Sequence, residues 1–390
     1  MRILMALSRF PYPLDKGDKL RAFHQLKYLG QKHELHLVCI SEESVSDADR
    51  KEVEKKCKSL KVVALSAWQS RSNVAKAAIS KLPYQVAYFK SAEAKKQIEQ
   101  CIKENRIEVC YFQLIRMGEN IPFEMDCSFY LDYMDAFSTN MTRRLPFYSG
   151  IKKSIFSTEA ERVKRYELGL LKKVSGSCFI AAADATVLNS DAVDIIPNGV
   201  DDSFFEEAYE NRRFDYDLIF TGNMSYHPNV QAALFLVNEL LPQLNSADWS
   251  PKVCIAGTSP SSEVLALQSD QVEVTGRVPD LKPYLRKSKY FVAPLFSGSG
   301  LQNKLLESMA MSLPTLSTPL ANQALKASNN EMLQCKDVQA FVDAIDSLRK
   351  NEAQTLSLSQ KGHDYVLKNY RWEHFNQLLE NRLLNLALQS

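Results

Sequence analysis

Short apolar runs of strand length alternate with stretches of helical periodicity, and the whole alternation occurs twice along the chain. RILMAL (2–7) and ELHLVCI (34–40) bracket DKLRAFHQLKYLGQK, in which Leu20, Phe23, Leu26 and Leu29 recur on one helix face. KVVAL, IEVCYF and CSFYLD repeat the strand pattern ahead of a long charged helical stretch from about 154 to 174. The series restarts with YDLIFTG (216–222) and a helix opening at His227–Pro228–Asn229, where proline is tolerated. KVCIAG, VEVTG, KYFVAP and LPTLST follow, separated by helices expected to start near Pro260, Pro279 and Leu301. Repeated strand–helix units call for parallel strands with helical crossovers on both sheet faces. A chain of 390 residues exceeds what one core usually serves, so two series predict two doubly wound α/β domains.

The seam falls near 196–214, in IPNGVDDSFFEEAYENRRFD, where Asn198–Gly199 supplies a turn before a polar stretch. The last segment, YRWEHFNQLLENRLLNLAL, is amphipathic, with Trp372, Phe375, Leu379 and Leu383 along one side. It either ends the second domain or returns to cover the first. The expected organisation is a first domain over 1–196, completed by a C-terminal helix at 371–390, and a second over 197–370.

Eight cysteines, at 39, 57, 101, 110, 127, 178, 254 and 335, form no CxxC and no cluster with histidine. That spacing argues against a zinc site or a disulfide framework and for reduced thiols in a cytosolic setting. The opening MRILMALSRFPYP reads as a first strand, too short for a signal peptide, and no run approaches eighteen apolar residues. The formal net charge of +2 hides an asymmetry: 31 Lys+Arg against 24 Asp+Glu before residue 196, and 17 against 22 from there on. Nine basic residues against three acidic ones lie between Arg143 and Lys173. A solvated helix face accounts for such a run, and so does attraction to an anionic membrane surface or a phosphate-bearing acceptor. No nucleic-acid module is recognisable.

Chemistry concentrates in SGSGLQNKLLESMAMSLPTLSTP, from Ser297 to Pro319. Small residues before a helix start expose free N–H groups at the positive end of the helix dipole, a ready anion site. Lys304 and Glu307, three apart, share one helix face. A cation for phosphate oxygens beside a carboxylate for ribose hydroxyls suits a nucleoside diphosphate sugar. A turn-capped helix with a surface pair has the same pattern, so the stretch gains meaning from the other segments.

Those segments are FPYPLDKGDKLRAFHQLKYL, IPNGVD, TGNMSYHPNVQAALFL, VEVTGRVPDL and GSGLQNKLLESMAMSLPTLST. In this order and spacing the chain resembles a retaining glycosyltransferase of the two-Rossmann, GT-B type, specifically glycosyltransferase family 4. Within that family it is most similar to bacterial exopolysaccharide-type sugar transferases with a GxQNKxLEAMA-like string. The resemblance implies two Rossmann-like domains facing across a cleft, the second binding the nucleotide sugar and the first the acceptor. It assigns Glu307, the second glutamate of an E-x7-E motif, to the ribose, and Lys304 with the backbone of Gly300, Leu301, Gln302 and Asn303 to the diphosphate. Gly17 would let backbone approach the donor phosphates. Gly222, Asn223 and Met224 would close the site, with His227 as a further donor contact. Arg277 and Val278 would meet the base.

There are departures from the family pattern. The first glutamate of E-x7-E falls at Ser299, and the Arg and Lys that usually neutralise the diphosphate fall within NMSYHPN, which has neither. Lys304 is expected to compensate. In SFYLDYMDAFS, Asp132 and Asp135 end a first-domain strand. Either would bind a sugar or polarise the attacking hydroxyl, or else both are strand-end caps. His24 is expected to be a packed histidine. The chain is thus expected to transfer a sugar, with retention, from a nucleoside diphosphate sugar to a glycan or lipid-linked acceptor in cell-surface polysaccharide biosynthesis. Catalysis would rest on Lys304, Asp132 and Asp135, with no cofactor and no metal. The setting would be cytoplasmic, with peripheral contact at the inner face of the plasma membrane. A GT-B sugar-nucleotide epimerase and a non-catalytic scaffold are the alternatives.

Overall fold

The computed structural model describes residues 1–187, 193–205, 209, 212–246, 248–298 and 300–388. The chain divides into two units: Met1–Pro197 with Glu373–Ser390, and Asn198–Trp372.

The first unit is built on a seven-stranded parallel sheet. Its strands are β1 (Arg2–Leu7), β2 (Glu34–Ser41), β3 (Ser59–Ala64), β4 (Val109–Gln113), β5 (Ser128–Met134), β6 (Gly176–Phe179) and β7 (Asp194–Ile195), in the order β3-β2-β1-β4-β5-β6-β7. The central strands β1, β4 and β5 are apolar along most of their length, as strands covered on both faces must be. The order reverses beside β1, which pairs with β2 on one side and β4 on the other, and this places a crevice at their carboxyl ends. The helical stretch expected from about 154 to 174 runs from Gly150 to Leu171. The C-terminal helix, Trp372–Ala387, lies on the first helix, Gly17–Lys32. Glu380 accepts from Tyr28 (2.9 Å) and Lys32 (3.1 Å) and meets His33 (2.9 Å), while Asn376 Nδ2 donates to the His24 carbonyl at 3.2 Å.

Asp132 sits inside this unit. It is fully buried, and Oδ2 accepts from Arg21 Nε (2.6 Å), Tyr111 Oη (2.5 Å) and Gln25 Nε2 (3.3 Å) while Oδ1 accepts from the Met134 amide at 2.9 Å. Arg21 is equally buried. A carboxylate whose oxygens are all engaged out of reach of solvent cannot take up a substrate. This corrects the expectation that Asp132 binds a sugar or takes part in catalysis: it neutralises the Arg21 guanidinium and ties the first helix to β5. Asp135, three residues on, is only partly buried and stands beyond the end of β5.

The second unit holds a six-stranded parallel sheet, β10-β9-β8-β11-β12-β13. The strands are β8 (Tyr216–Thr221), β9 (Val253–Ala256), β10 (Val272–Gly276), β11 (Ser288–Ala293), β12 (Thr315–Ser317) and β13 (Leu333–Gln334). The helices expected near Pro260 and Pro279 are short turns, Ser262–Leu265 and Lys282–Arg286, while the one expected near Leu301 runs from Asn303 to Ala310. Gly199 marks the seam. A Cβ there would stand 2.3 Å from the Trp372 nitrogen, so only glycine lets the two chain segments pass this closely.

Candidate functional site

Within the second unit the sheet order again reverses, here between β8 and β11, and both strands lead at their carboxyl ends into helices. After β8 comes Gly222–Asn223–Met224. The Asn223 side chain accepts from the Ser225 amide (3.0 Å) and hydroxyl (2.8 Å), and this turn delivers the chain into helix His227–Phe235. Met224 differs from expectation. Its side chain is buried, and its backbone ties the loop to Thr258 and Ser261, so it anchors the site and does not line it. After β11 the chain turns through Gly298 and Gly300, at φ +110° and +78°, backbone that favours glycine. A Cβ on Gly298 would touch the Pro228 ring at 3.6 Å, so this loop leans on the start of the first of the two helices.

Helix Asn303–Ala310 starts without a side-chain cap at Gln302. Among the described residues, no acceptor meets the backbone N–H of Asn303 or Lys304. The Lys304 ammonium is held at a fixed place. It donates to Asn229 Oδ1 at 2.5 Å and lies 5.0 Å above the Phe220 ring, while Asn229 Nδ2 donates to the Asn223 carbonyl at 2.8 Å. Gly222 closes this arrangement: a Cβ there would lie 2.8 Å from Asn229 Nδ2 and 3.2 Å from Lys304 Nζ. Gly257, at the end of β9, backs it, since a Cβ there would collide with the Gly222 carbonyl oxygen. Asn229 is the residue that sequence reasoning missed. An asparagine two positions past a helix start has no distinguishing sequence signal.

Glu307 shares the helix with Lys304 but forms no ion pair with it, and no hydrogen bond reaches its carboxylate among the described residues. Burial raises the Glu307 carboxyl to about 7, opposed by Lys304, and burial lowers the Lys304 ammonium to about 7, opposed by Glu307. Both side chains remain partly exposed and so accessible. The remaining candidates distribute as follows. Leu301, Gln302 and Asn303 lead into the helix, Gln302 Nε2 reaching the Gly300 carbonyl at 3.4 Å; Ser299 lies outside the described residues. His227 is exposed at the start of its helix. Arg277 is exposed and Val278 half-buried just past β10, where the Gly276 carbonyl accepts from the Gly257 amide at 3.2 Å. In the first unit, Gly17 opens helix Gly17–Lys32, and nothing stands within 4 Å of where its Cβ would be. Glycine is therefore not sterically required there within this unit. Burial, then repulsion by Asp184, raises the Asp135 carboxyl to about 6. Among the described residues, no group of three or more His, Cys, Asp or Glu side chains is placed to hold a metal.

The sign of the resulting pH dependence can be worked out. An ammonium lowered from 10.5 to about 7 has lost a proton that the unfolded chain keeps, so its contribution to stability rises with pH between those values. A carboxyl raised from 4.5 to about 7 keeps a proton that the unfolded chain releases, so its contribution falls with rising pH across that window. The pair costs the ligand-free chain most near pH 7. An anion at Lys304 restores the ammonium, and hydroxyl donors at Glu307 restore the carboxylate. At pH 7, binding of a nucleoside diphosphate is therefore expected to take up about half a proton or more in Glu307→Gln, and to release about as much in Lys304→Met. Calorimetry in buffers of differing ionisation enthalpy measures both; the same sign in the two variants contradicts the assignment.

Residues 215–351, which contain the whole of this second-unit site, match the family described as Glycosyl transferases group 1. Among curated proteins, no sequence matches the chain. Solved structures do match it along its length. Sucrose-phosphate synthase from Thermosynechococcus elongatus superposes with a TM-score of 0.72 at 13% identity, covering 100% of both chains. TarM gives 0.71 at 11%, covering 99% of each chain. HepE from Anabaena, in complex with UDP, gives 0.70 at 11%, covering 99% of this chain and 100% of that one. The fold is that of GT-B glycosyltransferases, two parallel-sheet α/β domains, and the family match supports a glycosyltransferase. No helix among the described residues is long and apolar enough to cross a membrane.

Proposed function

We propose that this protein is a retaining, family 4-type glycosyltransferase that moves a sugar from a nucleoside diphosphate sugar to a glycan or lipid-linked acceptor in cell-surface polysaccharide biosynthesis. The observation that carries this reading is the second-unit site: one ammonium fixed by Asn229 and, with no partner among the described residues, two helix N–H groups and a carboxylate one turn away. The diphosphate lies against Lys304 and the helix start, and the ribose hydroxyls donate to Glu307. As the bond to the sugar breaks, negative charge grows on the diphosphate, and the preorganised ammonium and N–H groups stabilise it. HepE was solved in complex with UDP, and with UDP-glucose, which favours a uridine donor. Asp135, a carboxylate with no hydrogen bond to its side chain among the described residues, is the first-unit group suited to accept from a sugar hydroxyl. A cytoplasmic setting fits eight unpaired cysteines. Peripheral contact with anionic lipid fits helix Gly150–Leu171, where Ile151 and Ile155 are exposed beside Lys152 and Lys153.

The test is incubation of the chain with a panel of labelled nucleotide sugars, with and without membrane lipid extract. Sugar transferred only when extract is present is the expected result. A sugar of altered configuration formed without acceptor would mark an epimerase. No turnover, with no nucleotide bound, would mark a scaffold.

A further inference from the structure

The first unit has its own crevice where the strand order reverses, between the carboxyl ends of β1 and β4, and two arginines stand there. Arg9 follows β1 by two residues. Arg116 lies in the 3-10 turn Ile115–Asn120 that leaves β4, after Leu114 at φ +68°, a conformation that costs a leucine energy and is characteristic of functional sites. The Arg116 side chain is 19% exposed, and no hydrogen bond reaches its guanidinium among the described residues. Its nearest carboxylate, Asp18 Oδ2, is 3.9 Å away and already accepts from Arg9 Nη1 at 2.7 Å. Aromatic rings flank the group, its carbon 5.3 Å from the centres of both Phe89 and Phe137. Arg9 Nε is likewise buried without a hydrogen bond, Glu42 Oε2 standing 3.9 Å off while the other Glu42 oxygen accepts from Tyr88. The two guanidiniums border a cavity of about 340 Å³ whose wall includes Tyr84, Tyr88 and Phe89.

A guanidinium whose Nε is buried without an acceptor, and whose other N–H groups make no hydrogen bond among the described residues, is costly to hold unless an acceptor arrives. A planar fork matches a phosphate or carboxylate, and an aromatic wall suits the apolar face of a sugar ring. We propose that Arg9 and Arg116 form an oxyanion-binding site in the first unit for a glycoside bearing a phosphate or carboxylate. The site stands on the geometry of this unit alone. That its occupant is the acceptor, and the acceptor therefore anionic, rests on the glycosyltransferase reading above.

The experiment titrates the full chain with glucose 1-phosphate, methyl glucuronoside and neutral methyl glucoside, by calorimetry or ligand-observed NMR. At least one anionic probe is expected to bind, more weakly as salt rises, while methyl glucoside does not. The preferred probe shows whether phosphate or carboxylate is the natural group. Arg116→Gln and Arg9→Gln are each expected to weaken that binding about tenfold or more, the size of a lost charged hydrogen bond. Arg116→Lys is expected to fail to restore it, because an ammonium lacks the fork. The unfolding midpoint of the chain, followed by circular dichroism, serves as the folding control and should be unchanged in all three. Equal binding of charged and neutral probes, or full affinity in both Gln variants, overturns the site. Loss of UDP binding in wild type with the anionic probe still bound overturns the donor reading and leaves this site standing.

Discussion

Asp132→Ala is expected to destabilise the first unit by about 3–5 kcal/mol, the cost of leaving a buried cation without its partner. Arg21 would keep its charge in a place with no water, and Gln25, Tyr111 and the Met134 amide would lose their shared acceptor. Asp132→Asn should fall between, since an amide retains size and one acceptor oxygen but not the charge. Chemical denaturation followed by circular dichroism measures it. Asp135→Asn is expected to behave in the opposite way. Its carboxyl is raised to about 6 by burial, so at pH 7 the folded chain carries a charge it would rather not hold. Removing that charge should leave the unfolding midpoint at or above wild type, while sugar transfer slows about 10²-fold or more if this carboxylate serves a sugar hydroxyl. A stable Asp132→Ala would return Asp132 to the list of groups free to act. Undiminished transfer in Asp135→Asn would make that residue a strand-end turn.

The contrast between these two aspartates shows where sequence reading stops. SFYLDYMDAFS gives both the same look, polar residues closing an apolar run. What separates them is Arg21, 111 positions earlier, and a burial that no local pattern carries. The strands with a continuous apolar run, such as β1, β4, β8 and β11, were legible because strands covered on both faces must be apolar throughout. The two-residue strands β7 and β13 were not, being shorter than any period. In the second unit the loop and helix at 297–310 announced themselves, because Gly298 and Gly300 are needed for backbone at positive φ and Lys304 and Glu307 are spaced for one face. Asn229, Gly257 and Phe220, which fix where the ammonium sits, come from another helix, a loop and a strand and carry no signature of their own. Arg116 escaped for the same reason: one arginine in a turn is unremarkable until the rings of Phe89 and Phe137 are seen around it.

Lys304→Ala is expected to slow transfer by about 10²–10³-fold, comparable to loss of one preorganised donor to a developing oxyanion. The effect should exceed that on ground-state affinity, because the charge it meets grows as the diphosphate leaves. Its binding signature should also be selective: UDP weakened strongly, uridine hardly at all. Asn229→Ala should reproduce part of this, since it removes the Lys304 hydrogen bond but leaves the charge. Glu307→Ala should act on the other end of the nucleotide, weakening uridine and UDP alike by about 1.5–3 kcal/mol, the range for hydrogen bonds to a charged group. A 2′,3′-dideoxy nucleotide should bind wild type poorly and lose little more in Glu307→Ala, because both changes delete one contact.

Calorimetric titration of UDP into the wild-type chain and Glu307→Ala tests the central assignment most directly. The account predicts one UDP per chain in wild type and affinity about tenfold or more weaker in the variant. Wild type that binds no UDP or other nucleoside diphosphate, or Glu307→Ala that binds as tightly as wild type, would contradict it.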